Sequence, residues 1–243
     1  MFGQNILAKA NYDLKGSLNV NSIFSTIQGE GPFSGVPALF IRLQGCSLRC
    51  FWCDTEFDSG ITYRLDKLED YVYKHSPASV AFCNKRPLIV ITGGEPLLQA
   101  DLPVFVKKLI DNNYRIQIET SGTVWQPGFD VLVDDKNYGD HITFVVSPKT
   151  GDLHSRIYRV ADCFKYIIKS GEVGVDGLPN KSTQTKGKSK ILARPAFNTP
   201  VYVMPLDEQD NIKNAENLRE AAKSSMNFGY ILCMQVHKLA GLE

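Results

Sequence analysis

The sequence predicts a parallel α/β sheet with helices packed outside it. Three observations carry this. Short β-rich apolar runs alternate with stretches of helical periodicity, the pattern of repeated strand–helix units with right-handed crossovers. Polar residues gather just beyond the carboxyl ends of the runs, where such sheets place their chemistry. The 243 residues, 43% hydrophobic and 22% charged, also suit one globular domain over 1–243 with a full core.

The elements follow in order. "ALFIRL" (38–43) is the first strand and leads into a cysteine loop. "LDKLEDYVYKH" (65–75) sets Leu65, Leu68 and Val72 at helical spacing, with Tyr71 beside them. "PLIVITGGEP" (87–96) is a buried strand running into a glycine turn, and "LPVFVKKLIDN" (102–112) is the helix after it. "RIQIETSG" (115–122) and "ITFVVSPK" (142–149) repeat the strand-then-loop form, and "FKYIIK" (164–169) and "VYVMP" (201–205) are further strands. "NIKNAENLREAAKSSMNFG" (211–229) is the last helix and "YILCMQVHK" (230–238) the last strand. Residues 170–191 break the pattern. They are rich in Gly, Ser, Thr and Lys, with Lys181, Lys186, Lys188 and Lys190 among them. That composition reads as a flexible, solvated insertion, with a lid or phosphate-contacting loop as the alternative.

A net charge of +1 gives no bulk reason to expect nucleic acid. No apolar run reaches the roughly 18–20 residues of a membrane span, and the first residues lack a signal-peptide core. A cytoplasmic protein with no membrane partner is expected, with its thiols reduced. The six cysteines are then ligands, nucleophiles or core residues rather than disulfides.

Three of them crowd "GCSLRCFWCD": Cys46, Cys50 and Cys53. A structural zinc site takes four ligands, usually in two pairs, yet Cys83, Cys163 and Cys233 are isolated and the four histidines are scattered. A cubane iron–sulfur cluster takes one thiolate per iron. Three thiolates leave one iron open, which is useful in a catalyst because a cofactor can bind there. Trp52, beside Cys53, would shield such a cluster from water. Cys163 and Cys233 lie in apolar runs and read as small core hydrophobes.

The Cys-x3-Cys-x2-Cys spacing, with "TGGEP" (92–96) following, resembles the radical S-adenosylmethionine (SAM) superfamily. The resemblance implies a partial, open (β/α) barrel, a 4Fe-4S cluster on Cys46, Cys50 and Cys53, and SAM chelating the open iron. "IFSTIQGEGPFSGVPALFIRLQGCSLRCFWCDT" (23–55), "VITGGEP", "IETSGT", "VVSPK" and "MQVHK" narrow it to the 7-carboxy-7-deazaguanine synthase family of the queuosine pathway. That family converts 6-carboxy-5,6,7,8-tetrahydropterin to 7-carboxy-7-deazaguanine with loss of ammonia. It does so by 5′-deoxyadenosyl hydrogen abstraction and a Mg²⁺-dependent ring contraction. The resemblance further implies a flavodoxin-like or ferredoxin-like electron donor and a homodimer. On the SAM side it places Trp52, Cys53, Asp54, Gly94, Glu95, Ser121, Ser147, Pro148, Lys149 and Gln235. On the pterin side it places Ile27, Gln28, Gly29, Glu30, Arg42, Thr92, His237 and Glu243, and on Mg²⁺ Thr55. The residues agree with the chemistry, since a pterin edge needs both donors and acceptors and the glycines of "IQGEG" let the main chain approach a flat ring. Arg42 alternates with Leu39, Ile41 and Leu43, so it lies on a strand. If inward it needs an anion, either the substrate carboxylate or a structural partner. A different radical enzyme that activates another protein, and a zinc-stabilised nucleic-acid module, are the competing readings; the first has no need of "IQGEG" or "CDT", and the second would need a fourth ligand and a basic face.

Changing Cys46, Cys50 or Cys53 to Ala should abolish the visible absorbance of the cluster. Cys83, Cys163 and Cys233 should tolerate Ala. Iron loss from a folded Cys163→Ala or Cys233→Ala protein would refute the assignment.

Overall fold

The computed structural model describes residues 6–53, 55–77, 87–184 and 191–242. Asp54, Cys83, Lys186, Lys188, Lys190 and Glu243 lie outside the described residues. Among the described residues nine strands form one sheet: β1 (Ser17–Ile27), β2 (Pro37–Leu43), β3 (Ile61–Arg64), β4 (Leu88–Gly93), β5 (Arg115–Thr120), β6 (Ile142–Val146), β7 (Ala161–Ile168), β8 (Val201–Pro205) and β9 (Ile231–Leu232). Their order is β3-β1-β2-β4-β5-β6-β7-β8-β9. From β2 to β9 every pairing is parallel, while β1 runs antiparallel to β2 and β3. The crossovers carry α1 (Leu65–His75), α2 (Leu102–Asp111), α3 (Phe129–Asp134), α4 (Lys136–Gly139), α5 (Ile157–Val160) and α6 (Asn211–Phe228), and α7 (Val236–Leu239) follows β9.

The strands alternate, and the two faces of the sheet differ. One face is apolar: Leu39, Ile41 and Leu43 of β2, Ile89 and Ile91 of β4, and Ile116 and Ile118 of β5 are buried under Leu68 and Val72 of α1 and Phe105 and Leu109 of α2. The other face has two levels. Ala38, Phe40, Leu88 and Val90 form a small apolar floor with Phe24, Phe33 and Val36. Two residues on, at the carboxyl ends, the same face presents Arg42 and Thr92, paired in register. This is the mostly parallel, open version of a (β/α) barrel that the sequence predicts.

β1, β3, α3, α4, α5 and α7 have no counterpart among the expected elements, and two differences from expectation shape the site. The strand before "ALFIRL", β1, is the longest at 11 residues, and it places "IQGEG" at a strand end. The expected last strand, 230–238, stops at Leu232 and is followed by a turn into α7. Cys233 still donates its N–H to Val203 O at 2.9 Å. The next rung of a parallel ladder would need an N–H from Pro205, and proline has none.

The exits of β2 and β4 touch through glycines. A Cβ on Gly93 (φ +146°) would lie 2.3 Å from Leu43 O, and one on Gly94 would lie 2.1 Å from Gly45 O and 2.8 Å from Cys46 Cβ. Residues 170–184 of the lysine-rich segment fold onto α6. Leu178 is buried, Ser224 Oγ donates to Gly177 O at 2.8 Å, and Tyr230 OH donates to Asp176 O at 2.7 Å.

Gly94→Ala should be destabilising by about 1–3 kcal/mol or more, because the obstacle is backbone and cannot rotate away. Thermal unfolding of the apoprotein measures it, at about 2–4 °C per kcal/mol for a chain of this size. An unchanged Tm would show that the two exits separate freely.

Candidate active site

A cleft of about 530 Å³ opens on the polar level of the inner face. Its walls include Cys46, Cys50 and Trp52 from the loop after β2, Arg42 and Thr92 from the strands, Gln28, Glu30, Lys149 and Gln235 from the loops, and His237 from α7.

The buried charges are organised by two carboxylates. Glu119 accepts from Gln28 Nε2 (3.0 Å), Gln117 Nε2 (3.1 Å) and Thr92 Oγ1 (3.2 Å). Glu30 pairs with Lys165 and accepts from Gln235 Nε2 at 3.0 Å, while its own N–H donates to Gln28 Oε1 at 3.0 Å. Burial works against both members of the Glu30–Lys165 pair. Their mutual attraction outweighs it, holding Glu30 below the usual carboxylate range and, helped by Glu119, Lys165 above the usual lysine range. Arg42 NH1 donates to Thr55 Oγ1 at 3.3 Å, and its guanidinium lies 5.7 Å from the Phe24 ring centroid.

Glu95 sits beneath the cleft, fully buried, and accepts four hydrogen bonds. They come from Thr120 Oγ1 (2.6 Å), Ser121 N (2.8 Å), Ser121 Oγ (2.5 Å) and Leu97 N (3.2 Å). Burial nevertheless raises its pKa. Its carboxylate thus ties the β4 exit to the β5 exit. Lys149 donates to Ser147 Oγ at 2.5 Å and lies 5.5 Å from the Trp52 ring centroid; burial lowers its pKa. His237 is also lowered by burial, and among the described residues its Nδ1 is buried without a hydrogen-bond partner.

Most of the residues expected from the sequence converge here. Gln28, Glu30, Arg42, Cys46, Cys50, Trp52, Thr55, Thr92, Gly94, Ser121, Ser147, Lys149, Gln235 and His237 line the cleft. Pro148 lines a smaller neighbouring pocket with Trp52. Gly29 backs His237, with room for no side chain between them, since a Cβ would lie 2.7 Å from Nδ1. Cys163 and Cys233 are buried, with thiols pushed by burial to about 12 and about 11. Lys165 went unread, and Glu119 was read only as one of the polar residues at the strand ends, with no role assigned. Lys165 is a charge inside the apolar run "FKYIIK", and Glu119 alternates with Ile116 and Ile118 on a central strand. A charge inside a buried strand was the available signal in both.

A profile of the Radical SAM superfamily matches residues 40–172. The 7-carboxy-7-deazaguanine synthase of Rhodospirillum rubrum is 41% identical across 98% of this chain and 98% of its own length. The chain belongs to the 7-carboxy-7-deazaguanine synthase family of radical SAM enzymes. The synthase of Rickettsia prowazekii is 33% identical over 93% of this chain and 89% of its own. The fold is shared with QueE from Escherichia coli, whose crystal structure aligns with a TM-score of 0.61 at 24% identity over 90% of this chain and 94% of that one.

Membership implies a 4Fe-4S cluster, SAM, a small-molecule substrate and an electron donor. The cysteine loop fits the cluster. Cys46 and Cys50 are buried and Cys53 is half-buried. Burial first, then the charges of Glu95, Cys50 and Cys53, push the Cys46 thiol up to about 12. Such a thiol gives up its proton readily only to a strong local positive charge, which iron supplies. Among the described residues no three His, Cys, Asp or Glu converge as a single ion requires; a cubane asks instead for one thiolate on each of three irons.

Lys165→Met should cost about 3–5 kcal/mol, because Glu30 is left as a buried, unpaired charge. Lys165→Met with Glu30→Leu removes both charges and should recover much of that loss. Denaturant unfolding of the apoproteins gives the comparison, and a double variant no more stable than the single would show the pair is not coupled.

Proposed function

We propose that this chain converts 6-carboxy-5,6,7,8-tetrahydropterin to 7-carboxy-7-deazaguanine with loss of ammonia, using Mg²⁺. The observation that supports it most is the shared wall of the cleft. Cys46 and Cys50 border the same space as Gln28, Glu30, Arg42 and Glu119, a mixed set of donors and acceptors suited to a pterin edge and its carboxylate.

Cys46, Cys50 and Cys53 would hold the cluster. When bound, it supplies the electron that splits SAM into methionine and a 5′-deoxyadenosyl radical. Trp52, Asp54, Gly94, Glu95, Ser121, Ser147, Pro148, Lys149 and Gln235 would form the SAM side. Lys149 places a cation near the mouth, suited to a carboxylate, and Glu95 acts by fixing Ser121 rather than by a free carboxylate.

Ile27, Gln28, Gly29, Glu30, Arg42, Thr92, His237 and Glu243 would hold the pterin. Glu119 joins them on the geometry, because it already orients both Gln28 and Thr92. The unpartnered Nδ1 of His237 is a hydrogen-bonding group in need of a partner, which a ring heteroatom can satisfy. The substrate carboxylate would meet the Arg42 fork. The C–H on the carbon bearing that carboxylate is weak, since the radical it leaves is flanked by nitrogen and a carboxyl group. That hydrogen is the one removed, and deuterium placed there should appear in 5′-deoxyadenosine.

Thr55 lies within 3.3 Å of Arg42 NH1, so a Mg²⁺ on its hydroxyl would sit beside the carboxylate site and act as a template. An anaerobic assay with the carboxytetrahydropterin, SAM, a reductant and Mg²⁺ tests the activity; no 7-carboxy-7-deazaguanine with a loaded cluster would overturn it. Thr55→Ala should keep the cluster and bind SAM, yet lose much of its product formation and respond more weakly to added Mg²⁺. Thr55→Ser keeps the oxygen and should be milder. Turnover against Mg²⁺ concentration decides, and three coincident curves would remove Thr55 from the metal site.

A further inference from the structure

Two side chains from outside the cysteine loop reach its central sulfur. Thr183 Oγ1 and Gln184 Nε2 each lie 3.1 Å from Cys50 Sγ. Both belong to the connection between β7 and β8, beyond residue 172 where the superfamily match ends.

The direction of these contacts is settled by what else the two residues do. Gln184 Oε1 accepts the N–H of Arg49 at 2.9 Å, which turns the amide nitrogen, a donor, toward the sulfur. The Thr183 hydroxyl has one proton and two acceptors in range, Cys50 Sγ and Lys149 O, the latter at 3.2 Å. Lys149 O already accepts from Thr183 N at 3.1 Å and from Ser182 Oγ at 3.0 Å, which fills its two lone pairs. The hydroxyl proton therefore goes to a deprotonated Cys50. The geometry is braced, because Phe51 N donates to Thr183 O at 3.1 Å and Thr183 is itself buried.

We infer that Thr183 and Gln184 are positioning residues that raise the reduction potential of the cluster by donating two hydrogen bonds to the Cys50 sulfur. This rests on the reading that Cys50 is a cluster ligand. One-electron reduction breaks no bond and adds one negative charge, part of which falls on the ligand sulfurs. An O–H and an N–H aimed at one sulfur stabilise that charge, so they favour the reduced form. The connection after β7 thus does more than cover the cysteine loop. It makes the cluster easier to reduce by the one-electron donor that a radical SAM enzyme needs.

The test is a redox titration of anaerobically reconstituted protein without SAM, with dithionite and mediators, following the paramagnetic signal of the reduced cluster. Thr183→Val and Gln184→Met should each move the midpoint to lower potential, the double variant further, and Thr183→Ser should stay with wild type. Iron per chain should be equal in all of them. Equal midpoints at equal iron content would overturn the proposal. Where a Val or Met variant fails to hold iron, Gln184→Glu supplies the refutation: it keeps the acceptor for Arg49 N, loses the donor and adds a negative charge, both of which lower the midpoint, so an unchanged midpoint there overturns the proposal too. Full iron retained in Cys50→Ala would instead overturn the ligand assignment beneath it.

Discussion

The exits of β2 and β4 approach so closely that no side chain fits between them, and the geometry of the cleft depends on that contact. Gly94 N donates to Leu43 O at 3.2 Å and Glu95 N to Gly45 O at 2.9 Å, so the two exits are joined main chain to main chain. Cys46 follows on one side of the seam. On the other, Glu95 turns its carboxylate down onto Thr120 and Ser121 at the exit of β5. Three neighbouring strands of a parallel sheet are thereby locked at the level where their loops begin. A cluster held on the cysteine loop inherits its position relative to the strands from this seam. A Cβ at Gly94 would meet Gly45 O at 2.1 Å, which is why this turn, unlike the surface glycines, admits no other residue without moving backbone.

Above the seam the site is electrostatic, and its charges are balanced in pairs rather than diluted by water. Glu30, held below the usual carboxylate range by Lys165, contributes stability that is present above its unfolded value of about 4.3 and lost as pH falls through its lower folded value. Lys165, held above the usual lysine range, contributes stability that is full below its unfolded value of about 10.4 and lost as pH rises through its folded value. The pair is therefore intact across the neutral range. His237 works in the same sense as Glu30 and opposite to Lys165. Its folded pKa lies below the ordinary 6.5 because of burial, so the unfolded chain takes up its proton first and stability rises with pH through that window. A site that holds an anionic substrate gains from this arrangement. The pair needs no counter-ion from the ligand, while Arg42 is met in the protein by a neutral hydroxyl and the ring of Phe24 and can turn its charge to a carboxylate.

How much of this was legible follows from how local each signal is. The three cysteines, "TGGEP" and the strand runs are contiguous strings whose chemistry does not depend on what lies across the fold, and they were readable directly. β1 was missed because Ser, Asn and Thr break up "SLNVNSIFSTI", although Leu18 and Val20 are buried and Asn19 is exposed, the alternation of a strand solvated on one face. The end of β9 was misread because it is decided by Pro205 on the neighbouring strand, which no window over 230–238 contains. Lys165 was overlooked, and Glu119 was given no role, for a related reason. Each is polar in an apolar strand, and only the curvature of the sheet reveals that the inner face is wet at one level and dry at the level below. Thr183 and Gln184 carried no signal, since nothing in "NKSTQTKG" indicates that a loop after β7 returns to a cysteine far upstream.

That last point is general to the site. Its walls are built from both ends of the chain. Cys233 Sγ faces Gly29 O at 3.3 Å across 204 residues, and Gln235 reaches Glu30 across 205. The sheet is open, so no strand pairing joins its far edge to β1. What bridges the gap is a turn and a short helix, with Lys238 anchored to Asp207 at 2.9 Å. Pro205 matters here beyond ending a ladder. A β9 that continued to 238 would carry Gln235 and His237 outward along the edge of the sheet. By stopping the pairing at Leu232 it frees the chain to fold inward, and both side chains arrive at the cleft. The fold thus uses a missing N–H to place two polar groups of the site, and Gly29 leaves the space that the imidazole occupies.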